Sequence, residues 1–413
     1  MRAMRSPVIR TLVVLTAAAA LILPVTTSAA AAPTPSPSPG DGQVTLLPPL
    51  PVRLGEGNPC TKASDRTAAG TTWAQAALGL ARTQQLSAGA GVSVAVVDTG
   101  VNPDVAALAG RVQTVGEADN DCVGHGTFAA GLIAGARTKG STIVGMAPQA
   151  RIIAAQGTDD RGVPTPQRIA LGIREAADQG ADVIYVGQAL RTGRAELTAA
   201  AAYAARHDAL VVAPAAPDAI PQDQLGSTGE QPTGPYWPAA APGVLSVVDF
   251  GPNGMRQSNA PPAYDPDLSA PGSAMVSIGP RGSGHYIGSG ASLAAACTAG
   301  AAALVRAHDP RMTVQEVSRQ LLVAAYPSDI PRLDPYAALT IALPQQKADR
   351  VAAPVAHLPQ PADPTPGIRA GAVAGASLAL VLFLAAAAAV IPRGRARNWL
   401  PPGRQQSAAS PST

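Results

Sequence analysis

Gly91-Val92-Ser93-Val94-Ala95-Val96-Val97-Asp98-Thr99-Gly100 is the stretch that decides the fold. It is a nearly uninterrupted, Val-rich apolar run, the pattern of a parallel strand buried on both faces, and it ends in an Asp-Thr-Gly turn. Asp98 therefore emerges at the carboxyl end of a strand, where ligands and catalytic groups collect in open α/β sheets. Further along, Gly124-His125-Gly126-Thr127 precedes the apolar run 128–135, placing His125 near the start of a buried helix. Residues 151–155 read as a strand, and 167–179 as a helix with Ile169, Ile173, Ala176 and Ala177 at helical spacing. Residues 183–186 form another strand, 196–207 an Ala-rich helix and 210–213 a further strand. Gly290-Ala291-Ser292 opens an Ala-rich helical segment, 293–307, that stops before Pro310, and Thr313 with Glu316 makes a capping box for a helix carrying Val317 and Leu321. Alternation of this kind predicts an α/β fold, a parallel sheet flanked by helices.

Asp98, His125 and Ser292 are the residue types that nucleophilic hydrolysis needs: a hydroxyl, an imidazole to take its proton, and a carboxylate to fix the imidazole's tautomer and charge. Each alone fits a plain loop, a structural histidine or a helix N-cap. Together, in the chain order Asp, His, Ser, they form a specific constellation. A Ser292 at a helix start also sits at the positive end of the helix dipole, favourable for negative charge developing on a substrate. An α/β-hydrolase elbow fits poorly, because it needs Gly two residues after the serine, where Ala294 stands, and a histidine downstream, where the chain has only His308 at the end of the same helix and His357 in the spacer. The five histidines are scattered and there is no Cys-x-x-Cys pair, so neither metal nor cofactor is expected. Near-balanced charge, net +3, and 3% aromatic residues give no basic, aromatic surface for nucleic acid.

With these motifs go Trp73-Ala74-Gln75, Asp121-Cys122-Val123, Tyr236-Trp237-Pro238-Ala239-Ala240, Ala270-Pro271-Gly272 and Asp334-Pro335-Tyr336. On them the chain resembles the subtilases, and among these the mycosins, membrane-anchored serine proteases of type VII secretion systems in actinobacteria. The resemblance implies a subtilisin-like serine endopeptidase acting on a protein or peptide substrate, in partnership with a membrane secretion complex. It implies Ser292 as nucleophile, His125 as general base and acid, Asp98 as its orienting carboxylate, and the Ser292 backbone N–H as an oxyanion donor.

The two ends suit an exported, anchored protein. Arg2, Arg5 and Arg10 precede an apolar segment, and Ser28-Ala29-Ala30-Ala31-Ala32 offers small-residue cleavage sites, so 1–32 reads as a signal peptide. Residues 371–391 are an uncharged apolar run whose helix would span roughly 30 Å, a bilayer core. Arg393, Arg395, Arg397 and Arg404 follow, so the positive-inside rule puts the tail 392–413 in the cytoplasm and the catalytic domain outside the cell membrane. Between these lie a Pro-rich extension (33–85), the peptidase domain (86–343) and a Pro/Ala-rich linker (344–370). Residues 33–51 are too rich in Pro, Ser and Gly to bury much; the resemblance implies an arm packed on the catalytic domain. Three pairings are open among Cys60, Cys122 and Cys297. Cys60 with Cys122 is favoured, since export permits disulfides and this bond would tie the arm beside the His125 loop, leaving Cys297 as a small buried residue.

Departures from the family pattern concern the oxyanion. Subtilases usually place an Ala-Gly-Asn turn after the strand matching 210–213, the Asn donating to the tetrahedral oxyanion; here the stretch is Pro214-Ala215-Ala216-Pro217-Asp218. The usual Asn is absent near Pro217. Proline has no donor, and an Asp carboxylate repels an oxyanion unless protonated. Losing one such donor costs about 10²–10³ in turnover, a figure that comes from subtilisin itself. The usual Gly-Thr-Ser is Gly290-Ala291-Ser292, the Pro expected four residues later is Ala296, and Gln188 in Tyr185-Val186-Gly187-Gln188 is a weak candidate for a substitute donor. A second reading follows: a protease fold retained chiefly to stabilise a secretion complex.

Overall fold

Short, mostly apolar runs with charge only at or next to their ends become the strands of one sheet, and helical segments, several of them Ala-rich, lie between them. The structure is a computed structural model that describes residues 46–220, 225, 231–342 and 365–396. Its first compact unit, Met1–Leu343, runs α1 (Trp73–Ala77), α2 (Leu80–Leu86), β1 (Ser93–Asp98), β2 (Val112–Thr114), α3 (His125–Ala134), β3 (Arg151–Gln156), α4 (Pro166–Asp178), β4 (Val183–Val186), α5 (Arg194–Arg206) and β5 (Leu210–Pro214). It continues through β6 (Leu245–Phe250), β7 (Leu268–Pro271), β8 (Met275–Ile278), β9 (His285–Gly288), α6 (Ala291–His308), α7 (Val314–Ala324) and α8 (Pro335–Thr340).

Seven strands form one parallel sheet in the order β2-β3-β1-β4-β5-β6-β7. The chain builds outward from β1 to β2 and β3, then crosses to β4 on the other side of β1. The carboxyl end of β1 is thus the switch point where such sheets leave a crevice. Side chains alternate between two cores, as the strand period of two requires. Val94 and Val96 of β1, Tyr185 of β4 and Val212 of β5 join the core beneath α3 and α6. Ala95, Val97, Ile184 and Val211 join the other, beneath α4 and α5. α6 is buried along nearly its whole length, from Ala291 to Arg306, and only small side chains let a helix lie so close to a sheet and to its neighbours.

The predicted strands and helices appear within two or three residues of their expected ends, and Thr313 and Glu316 do form the capping box. The extension packs on the domain: Leu50 N–H donates to the Ile287 carbonyl at 2.8 Å, and Ile287 N–H to that of Pro48 at 3.0 Å, adding a bridge to the β8–β9 hairpin. Cys60 and Cys122 form a disulfide, and Cys297 is free and buried. The second unit, Pro344–Thr413, holds α9 (Thr365–Ala396). Its segment Arg369–Ala396 is long and apolar enough to cross a membrane, and it contains the expected span 371–391. The expected signal peptide 1–32, residues 33–45, most of the expected linker 344–370 and residues 397–413 lie outside the described residues.

Candidate active site

Asp98 is the last residue of β1 and is fully buried, its Oδ1 accepting from the Thr99 N–H at 2.8 Å. His125 opens α3, and its Nδ1 lies 2.7 Å from Asp98 Oδ2. Ser292, second residue of α6, brings its Oγ to 3.1 Å from His125 Nε2. The structure thus gathers the three expected residues from three distant segments at the switch point of the sheet, all of them buried.

Their spacing is held by a carboxylate that the sequence reading names only within a family motif, with no role assigned to it. Asp121 is buried and accepts from Thr99 Oγ1 (2.8 Å), Gly124 N–H (2.6 Å), Thr127 N–H (2.8 Å) and Thr127 Oγ1 (2.7 Å). Thr99 Oγ1 in turn accepts from Gly126 N–H at 2.9 Å, so the turn after β1 and the first turn of α3 are tied together. That approach is close enough that a Cβ on Gly126 would lie 2.0 Å from the Gly100 carbonyl. Burial raises the Asp121 carboxyl above its ordinary value, with the four donors pulling against it. Tyr185 of β4 donates its hydroxyl to Asp98 Oδ2 at 3.3 Å; burial, then the nearby Asp98 and Asp218 charges, hold it well above the ordinary phenol range, so it remains a donor.

The residue facing Ser292 from the loop after β5 is Asp218. Its Oδ1 accepts from the Ser292 N–H at 2.9 Å, its Oδ2 accepts from Ser292 Oγ, and Oδ2 lies 3.2 Å from His125 Nε2. Its side chain is only 4% exposed. The backbone donor expected to serve an oxyanion is therefore engaged by a carboxylate of the chain itself. Gly290 permits this, since a Cβ there would meet Asp218 Oδ1 at 2.0 Å. Gln188 is buried after β4, while the contact to Ser292 comes from Asp218. Burial alone would lower the His125 imidazole, but Asp98 and Asp218 outweigh it and hold it well above its ordinary value.

A cavity of about 560 Å³ lined by Leu190, Arg191, Pro217, Ile220 and Tyr236 opens beside the Asp218 loop. The Cys60–Cys122 disulfide lies on the His125 loop, and Thr61 N–H donates to the Cys122 carbonyl at 2.9 Å. Burial pushes the Cys297 thiol up to about 12, which leaves it a packing group in α6. Among the described residues, no group of three or more His, Cys, Asp or Glu side chains is arranged to hold a metal ion.

Residues 89–352 match the model of the subtilase family, Peptidase S8. Mycosin-1 of Mycolicibacterium smegmatis is 31% identical over 379 residues, covering 76% of this chain and 84% of the relative. Thermitase of Thermoactinomyces vulgaris is 34% identical over 226 residues, 53% of this chain and 76% of that protein. Among solved structures, that of MycP1 with its N-terminal propeptide removed superposes with a TM-score of 0.58 at 27% identity, over 68% of this chain and 100% of that one. A chain in the periplasmic assembly of the ESX-5 inner membrane complex superposes with a TM-score of 0.59 at 26% identity, over 74% and 94%. By the family match over most of its length, and by the sheet and helices just described, this chain belongs to the subtilase family of serine proteases and is similar to the mycosins of type VII secretion.

Proposed function

We propose that the chain is a membrane-anchored serine endopeptidase that faces outward and works beside a type VII secretion complex. One observation carries the reading: Ser292 Oγ, His125 Nε2 and Nδ1, and Asp98 Oδ2 form a continuous buried relay, with links of 3.1 and 2.7 Å, at the edge of the sheet. In that arrangement Ser292 attacks the scissile carbonyl, His125 takes its proton and later gives it to the leaving amine, and Asp98 with Tyr185 holds the imidazole. Water then hydrolyses the acyl-enzyme by the same route. α9 supplies the anchor, and the arginines after it support an inner tail. The neighbour within the ESX-5 periplasmic assembly supports placing this domain in a comparable complex.

The test is fluorophosphonate labelling of the full chain in detergent, beside Ser292→Ala. Labelling that the substitution abolishes is expected. Folded protein that takes no label at any pH sinks the reading. The Asp218 carboxylate against Ser292 favours the second reading, a protease fold serving as scaffold; secretion restored in full by Ser292→Ala is the outcome that supports it.

A further inference from the structure

The three groups that Asp218 touches are those a tetrahedral intermediate would use. The Ser292 N–H is the backbone donor to an oxyanion, Ser292 Oγ is the attacking atom, and His125 Nε2 is the proton carrier. A carboxylate there imitates the intermediate's negative oxygen and takes its place. We propose that Asp218 is the oxyanion residue of this site and its proton switch. As a carboxylate it fills the oxyanion position and holds the site shut; as a carboxylic acid it gives way to substrate and donates its O–H to the developing oxyanion. The proposal rests on the serine-peptidase reading above.

The proton comes from within the site. At the 3.2 Å contact between His125 Nε2 and Asp218 Oδ2, one shared proton can sit on either partner. On His125 it makes an imidazolium locked between the Asp98 and Asp218 carboxylates, with no base to activate Ser292. On Asp218 the same proton leaves His125 neutral and able to accept, and turns the blocking carboxylate into a donor. Attack then balances: Ser292 Oγ bonds to the carbonyl carbon, its proton passes to His125 Nε2, the carbonyl π pair moves onto oxygen, and that oxygen accepts from Ser292 N–H and the Asp218 O–H. Loss of the shared proton at high pH leaves His125 basic but restores a negative charge where the oxyanion must form. A second proton at low pH removes the base.

Among the described residues, few charges face Asp218. His125 comes from α3 with Asp98 of β1 behind it, and Tyr185 of β4 is a phenol held in its neutral form. On the far side, Asp249 at the end of β6 and Arg256 line a small cavity with Asp218 but pair with each other, Arg256 Nε to Asp249 Oδ1 at 2.9 Å. The local balance is therefore set by His125 against two carboxylates.

The experiment is the fluorophosphonate labelling rate of the full chain in detergent across pH, for the unsubstituted protein, Asp218→Asn, Asp218→Ala and Ser292→Ala, with circular dichroism to verify folding. Asparagine keeps the shape and supplies a permanent neutral donor; alanine removes both donor and charge. The unsubstituted rate is expected to fall on the alkaline side, while Asp218→Asn holds its rate there and exceeds it by about 10²-fold. Asp218→Ala also loses the alkaline fall but runs roughly 10²-fold below Asp218→Asn. An unsubstituted profile that rises with pH in step with Asp218→Asn overturns the proposal, and so does equal labelling of the Asn and Ala variants, which removes the donor role. Labelling of Ser292→Ala at the unsubstituted rate, or of none of the folded proteins, overturns instead the peptidase reading on which the proposal stands.

Discussion

At the residue scale the site is a contest of charges in a dry crevice. His125 is wedged between Asp98 and Asp218, which together outweigh the burial that would keep the imidazole neutral. Its folded value is raised above the unfolded one, near 6.5. The stability it contributes is therefore complete below that value and lost as pH rises through the higher folded value. In melts between pH 6 and 10, the unsubstituted protein should lose more stability toward alkaline pH than Asp218→Asn, which keeps only the Asp98 partner. Parallel melting curves would refute this. Asp121 poses a separate question, because it meets four donors from Thr99, Gly124 and Thr127 with no solvent to replace it. Asp121→Ala strands those donors and should cost about 3 kcal/mol or more by thermal or urea unfolding. Of these residues Asp98, His125 and Ser292 were legible in the sequence, since their motifs are local. What Asp218 does was not: its identity was plain, but its aim depends on how the loop after β5 passes Gly290, a contact 72 residues away in the chain.

At the element scale, legibility followed locality in the same way. β1, β3, β4 and β5 are buried on both faces, and parallel strands so placed announce themselves as unbroken apolar runs. β7 is an edge strand that contains Ser269 and Pro271, and β8 and β9 form a two-stranded hairpin that gains a bridge from Pro49 of the arm. Their partners are distant in sequence, so no short pattern marks them. The arm itself is fixed by the Cys60–Cys122 bond, which closes a loop with a sequence separation of 62. Chain-entropy arguments put the worth of such a closure at about 4 kcal/mol. Cys60→Ser with Cys122→Ser should therefore lower stability by up to that amount in denaturant unfolding, and slow fluorophosphonate labelling, because Thr61 also holds the Cys122 and Val123 carbonyls next to His125. A variant that keeps its stability would show that the arm is pinned by its backbone contacts alone. α6 makes a complementary case: a Cβ on Gly300 would lie 2.5 Å from Met146 Cβ, so Gly300→Ala should overpack the α6 contact with Met146 and cost about 1–3 kcal/mol in the same measurement.

At the scale of the whole molecule, one unit carries the candidate site and the other carries an apolar helix. The first unit has its own two-sided core and its own disulfide. α9 presents Val381, Leu382 and Phe383 outward, more than half exposed, a surface that suits lipid and not water. Its flanks differ: Arg369 precedes the span, whereas Arg393, Arg395, Arg397 and Arg404 follow it, so the end after the span should stay on the inner side. The chain's own cysteines make this testable with little background, because two are joined and Cys297 is buried with its thiol pushed up to about 12. A membrane-impermeant maleimide applied to intact cells should modify Glu56→Cys, an exposed position of the extension, and leave Gln405→Cys in the tail untouched until the membrane is permeabilised. Modification of Gln405→Cys in intact cells, with Glu56→Cys protected, would invert the molecule. The relay of Asp98, His125 and Ser292 would then face the cytoplasm, where a Cys60–Cys122 disulfide is not sustained.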